Sequence, residues 1–119
     1  LSNEYRLIFL GDYVDGWSES ASTIEYLIEL NSKYDCIFIK GNHDKWCEDW
    51  LRSKEANSIW LFHGGQSTVD SYINYKESEL QNHLNFFESM LNYYIDDEQK
   101  LFIQNCTGGR AVIWGFTFT

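Results

Sequence analysis

Two stretches decide the fold: Arg6-Leu7-Ile8-Phe9-Leu10-Gly11-Asp12-Tyr13-Val14-Asp15-Gly16, and Cys36-Ile37-Phe38-Ile39-Lys40-Gly41-Asn42-His43-Asp44. Each is a short apolar run that ends in glycine and opens into a polar, acidic loop, the pattern of a buried strand followed by a turn. Between them Ala21, Ile24, Leu27 and Ile28 recur at helical spacing, with Ser18 as the expected N-cap. Strand, helix and strand over roughly 35 residues predict a βαβ unit, whose crossover makes the strands parallel. Both polar loops then open at the carboxyl edge of one sheet, where ligands of open α/β sheets bind.

Trp46, Cys47, Trp50 and Leu51 predict the apolar face of a short helix. The run Ile59-Trp60-Leu61-Phe62 leads into a turn at His63-Gly64-Gly65, and Val69, Tyr72 and Ile73 suggest another helix. The most regular pattern, Leu80, Leu84, Phe87, Leu91 and Tyr94, predicts a long helix from about Ser78 to Tyr94 with these side chains in the core. His83, on that helix, is expected at the surface or its boundary. A hairpin closes the chain, with Leu101-Phe102-Ile103 and Ala111-Val112-Ile113-Trp114 as strands and Thr107-Gly108-Gly109 as the turn; Phe116 and Phe118 follow. The fold class is α/β.

The chain has 119 residues, a size for one compact domain, and lacks proline. It begins at Leu1, and an excised piece of a longer protein is expected. Nine basic against eighteen acidic residues give a net charge of −9, which opposes extended contact with nucleic acid or an anionic membrane. No apolar run suits a membrane span. Cys36, Cys47 and Cys106 form no C-x-x-C pair; free thiols in a reducing compartment, the cytoplasm, are expected.

The two loops bring carboxylates, an amide oxygen and an imidazole to one edge. Such donors suit divalent Mn, Fe or Zn rather than a thiolate-bound metal. A pair of such ions can hold a hydroxide and clamp a phosphoryl group for in-line attack. The leaving oxygen then needs a proton, and His43 oriented by Asp15 is placed to supply it. The plainer alternative is that Asp12 and Asp15 shape a loop and Asn42 caps the following helix.

Gly11-Asp12-Tyr13-Val14-Asp15-Gly16 and Gly41-Asn42-His43-Asp44 resemble the second and third signature blocks of the calcineurin-like metallophosphatase superfamily, and within it the bacterial serine/threonine-phosphatase-like branch. That branch often carries a Trp, a Gly-Gly and a Thr-x-x-Ser-Tyr, matched here by Trp60, Gly64-Gly65 and Thr68-Val69-Asp70-Ser71-Tyr72. The resemblance covers roughly residues 5–103. It implies an incomplete αββα sandwich with a βαβ core and a helical insertion. It also implies two divalent metals, with Asp12 bridging both, Asn42 binding one, and His43 protonating the leaving group with Asp15 behind it. The expected reaction is hydrolysis of a phosphomonoester, on a phosphorylated protein or a small molecule. The other readings are a nucleotidase or dinucleoside polyphosphate hydrolase of the same superfamily, and a non-catalytic interaction module on the same scaffold.

Departures from the pattern lower the expected activity of these residues to weak or none. The superfamily's D-x-H block is absent. Gly16-Trp17 stands where an Arg grips phosphate, so Lys45 or Arg52 is expected to bind substrate, and Lys40 and Lys45 flank the loop. Gln104-Asn105-Cys106 replaces a His block, and His63, which precedes the long helix, comes too early to fill that role and is expected as a loop residue. Residues 1–103 are therefore expected to form a partial domain and 104–119 a divergent, foreign tail.

Overall fold

The computed structural model describes residues 6–98, 101–106 and 110–115. Strand β1 (Arg6–Phe9) pairs in parallel with β2 (Asp35–Phe38), in the register Arg6 to Asp35 through Phe9 to Phe38, and helix α1 (Ser20–Lys33) makes the crossover. The βαβ expectation holds. Helix α1 starts after Glu19 rather than Ser18, because the Glu19 carbonyl accepts the Thr23 amide (2.9 Å) and the Ser18 hydroxyl turns to the Glu19 side chain.

Helix α2 (Asn42–Ser53) follows directly from the second loop. It buries Cys47 and Leu51, while Trp46 and Trp50 pack half-buried against the core. A short helix α3 (Ser58–Trp60) then runs through one wide turn, Leu61–Gly65, into α4 (Gln66–Ser71). The Asn57 side chain starts this segment by accepting the Ile59 amide at 2.8 Å, an N-cap that turns the apolar run Ile59–Phe62 into helix rather than extended chain. Tyr72 is buried as expected, but α4 has ended before Ile73, which is 80% exposed.

Helix α5 (Glu77–Ser89) is shorter than its periodicity predicts. Leu84, Phe86 and Phe87 are buried, but Met90 adopts extended geometry and Leu91 joins the free edge of β2. The Leu91 amide donates to the Phe38 carbonyl (2.9 Å) and the Lys40 amide to the Leu91 carbonyl (2.7 Å). Pairing with β2 thus takes Leu91 out of the helix. Tyr94 belongs to β3 (Tyr93–Asp96), which pairs with β4 (Leu101–Cys106), and β4 pairs with β5 (Arg110–Gly115), both antiparallel. The terminal hairpin is present; its turn at residues 107–109, Phe116 and Phe118 lie outside the described residues.

His83 reverses its expectation. It is fully buried, its Nδ1 2.7 Å from the Tyr72 hydroxyl and its Nε2 2.5 Å from Glu25 Oε2, with the Tyr72 and Tyr75 rings edge-on to its own. A polar ring enters a core when both nitrogens find partners, and both partners here come from distant segments. The core joins α1, β2, α2 and α5 through Ile24, Leu27, Phe38, Leu51, Trp60 and Phe87. Among the described residues no helix is long and apolar enough to cross a membrane, and Cys36 and Cys47 are free thiols. Burial pushes both thiols up, Cys47 well above the usual range.

Candidate active site

The two loops meet at the carboxyl edge of β1 and β2. Asp44, fully buried, organises them: its Oδ2 accepts the Asp12 amide (2.6 Å) and the Gly41 amide (2.8 Å), and its Oδ1 accepts the Tyr13 amide (2.9 Å). Burial pushes the Asp44 carboxyl up to about 6, although those three backbone N–H groups favour its charged form. The Tyr13 hydroxyl shares its proton between the Phe9 and Ile39 carbonyls, at 2.9 and 2.8 Å, and so ties the two strand ends together. Asn105 adds a third element, donating from Nδ2 to the Leu10 carbonyl at 2.7 Å. The sequence pattern places Asp44 among the loop's oxygen groups but does not show it as the organiser, and it gives no signal for Tyr13 or Asn105.

Asp12 and Asp15 both hold left-handed backbone, with φ of 58° and 81°. Such conformations are uncommon outside glycine and concentrate at functional sites. Asp12 Oδ1 accepts the His43 amide at 3.2 Å, in the first turn of α2, where the helix terminus favours negative charge. Gly41 makes this approach possible, since a Cβ there would lie 2.1 Å from Asp12 Oδ1. Gly41 also takes the cap position of α2, so Asn42 is the first helical residue, solvent-exposed, and does not cap the helix.

Asp15 turns inward, with a side chain 3% exposed. Its Oδ2 lies 2.5 Å from His43 Nδ1 and accepts the Trp60 indole N–H at 2.7 Å; its Oδ1 accepts the Thr68 hydroxyl at 2.5 Å. The His43 ring is one-third exposed and meets the edge of Trp46. With Nδ1 directed at Asp15, Nε2 is the nitrogen left to face a ligand. The pair expected from the sequence is therefore in contact. Trp60 and Thr68 were visible in the sequence only as part of a motif without an assigned role.

The expected substrate cations are placed differently from one another. The Arg52 guanidinium is engaged by Glu48 (2.5 Å), Asp49 (3.3 Å) and Glu88 (3.7 Å). Lys40 is paired with the buried Glu48, whose burial penalty is outweighed by Lys40 and Arg52, so that its carboxyl sits below the usual range. Lys45, half-exposed and 3.2 Å from Asp49, shares a shallow depression of about 330 Å³ with Asn42, Trp46 and Asp49. Lys45 also lies 3.6 Å from Glu48. His63 is an exposed residue of the wide turn, its ring against Phe62.

A carboxylate at Asp12 and an amide oxygen at Asn42 are the hard donors a divalent cation takes. Among the described residues no group of three or more His, Cys, Asp and Glu is placed to hold a metal ion. These donors suit part of the coordination of one ion and do not fit a two-ion centre.

At this parallel βαβ edge the buried Asp15 carboxylate meets the partly exposed His43 imidazole beside an acidic loop. The chain belongs to the calcineurin-like phosphoesterase family, which it matches over residues 2–113. No curated protein and no solved structure matches it. The family generally binds divalent metals.

Proposed function

We propose that this chain carries the proton-transfer half of a phosphomonoesterase site of the serine/threonine-phosphatase-like kind. The observation that supports this most is the His43–Asp15 contact at 2.5 Å, beside Asp12 on the same sheet edge. Asp15 holds the imidazole with Nδ1 inward, and Nε2 delivers a proton to the ester oxygen as it leaves. Asp12 and Asn42 would hold a divalent cation such as Mn, Fe or Zn, with too few protein donors for firm binding. Such an ion offsets phosphate charge when bound. Lys45 adds positive charge near Asn42, and Arg52, engaged by three carboxylates, is left out of this reading.

The substrate is a phosphorylated protein or small phosphomonoester, and free thiols fit the reducing cytoplasm. Activity of these 119 residues is weak, because the donor set is short. Hydrolysis of an alkyl phosphate, whose leaving oxygen needs a proton, with added Mn tests the reading: slow turnover lost in His43→Ala supports it, and a rate unchanged in that variant overturns it.

A second reading, a non-catalytic interaction module, draws on the exposure of Phe62 (86%) and Ile73 (80%). Manganese titration separates the two, since an interaction module has no need of an Asp12-dependent site.

A further inference from the structure

We propose that Trp60 and Thr68 are positioning residues for His43, acting through Asp15; this rests on the hydrolase reading above. A buried carboxylate is stable only when its oxygens are hydrogen-bonded, and His43 alone would satisfy one of them. The terminal torsion of an Asp side chain is broad, so a carboxylate held by a single partner can swing and carry the imidazole with it. Here both oxygens are committed. Thr68 holds Oδ1 and Trp60 holds Oδ2, the oxygen that also meets His43.

The two donors are themselves fixed. Trp60 and Thr68 are fully buried. The indole lies flat against Gly65, where a Cβ would come within 2.4 Å of the ring. The Thr68 hydroxyl oxygen is 3.2 Å from Ser20 Oγ, which accepts the Asp15 amide at 3.1 Å. The Gly16 amide donates to the Gly64 carbonyl (3.1 Å), so the wide turn is fastened to the very loop that carries Asp15. Three segments distant in sequence thus hold one carboxylate in one plane. Trp60 and Thr68 each donate to Asp15, and their effect reaches the imidazole by fixing its acceptor.

The test compares Thr68→Val, which is isosteric and lacks the hydroxyl, Thr68→Ser, which returns it, and Trp60→Phe. Solvent exchange of the His43 Nδ1 proton is read by NMR on the intact chain, and retained amide dispersion certifies each variant as folded. Exchange is expected to be at least about tenfold faster in Thr68→Val and Trp60→Phe and to recover in Thr68→Ser, by loss and return of a fixed acceptor. Either folded variant suffices, and unchanged exchange in it overturns the proposal.

A second arm reads leaving-group dependence with Mn present. Thr68→Val is expected to lose about tenfold on an alkyl phosphate and less than about twofold on p-nitrophenyl phosphate, whose leaving oxygen needs little protonation. Equal loss on both substrates contradicts a positioning role. If the wild-type chain hydrolyses neither, the hydrolase reading fails, and proton exchange still decides whether Trp60 and Thr68 hold the pair in place.

Discussion

His43 Nδ1 lies 2.5 Å from Asp15 Oδ2, joining residues 28 positions apart across the carboxyl edge of the β1–β2 sheet. The contact fixes which imidazole nitrogen points outward and gives an imidazolium its counter-charge. Asp15→Asn keeps the shape of the side chain but removes the charge, and its NH₂ group must face donors already supplied by Trp60 and Thr68. We expect kcat on an alkyl phosphate to fall by roughly 10²-fold, within the range that positioned acid catalysis supplies, with little change in KM. Steady-state kinetics with Mn check this. A parallel rise in KM and unchanged kcat would assign Asp15 to binding instead.

Asp44 makes folding depend on pH in an unusual direction. Burial lifts its carboxyl from 3.8 to about 6 in the folded chain, so the native state binds this proton more tightly than the unfolded state does. The stability this proton contributes is fully present below about pH 4 and is lost as pH rises through about 6; a shift of about two units corresponds to about 3 kcal/mol. Asp44→Asn cannot titrate. Urea unfolding of both proteins between pH 4 and 7.5 is expected to show the wild type losing about that much relative to the variant. A gap that stays constant with pH contradicts the assignment.

Gly41 is the point where the two loops touch. Its φ of −94° suits any residue, so Gly41→Ala acts through space alone, by placing a methyl 2.1 Å from Asp12 Oδ1 and 2.7 Å from the Asp12 backbone nitrogen, which shifts the Asp12 loop as a whole. The variant is expected to fold and to bind Mn at least about tenfold more weakly, because one displaced donor from a set of two costs about 1.4 kcal/mol or more. Calorimetric titration of Mn into both proteins reads it directly.

His83→Phe keeps an aromatic ring in the core and orphans the Tyr72 hydroxyl, which faces Nδ1 at 2.7 Å. An unsatisfied buried polar group costs about 1–3 kcal/mol, which guanidinium unfolding resolves easily. A surface histidine at this position would give a change within about 0.5 kcal/mol.

The parts of this structure legible in the sequence are those that local pattern dictates. The apolar runs before Gly11 and Gly41 read as parallel strands because a helix-spaced segment of the right length lies between them. The meeting of His43 and Asp15 is legible because both loops open at the same sheet edge. What escaped the pattern depended on partners far along the chain. Leu91 and Tyr94 keep helical spacing with Leu84 and Phe87, yet pairing with β2 and β4 takes them out of α5. His83 looks like a surface residue until Glu25 and Tyr72 are seen on its two nitrogens. Nothing in the local pattern shows that Glu48, Asp49 and Glu88 gather at the Arg52 guanidinium. Trp60 and Thr68 gave a sequence signal, but only the fold brings both to one carboxylate.

The central claim is that the loop bearing Asp12 and the His43–Asp15 pair form one phosphoester-hydrolysing edge. Its most direct test is the Mn-dependent rate of p-nitrophenyl phosphate hydrolysis by the wild-type chain and by Asp12→Asn. Slow hydrolysis that rises with Mn and falls to the uncatalysed background in the variant is expected. Hydrolysis by Asp12→Asn at the wild-type rate would contradict it.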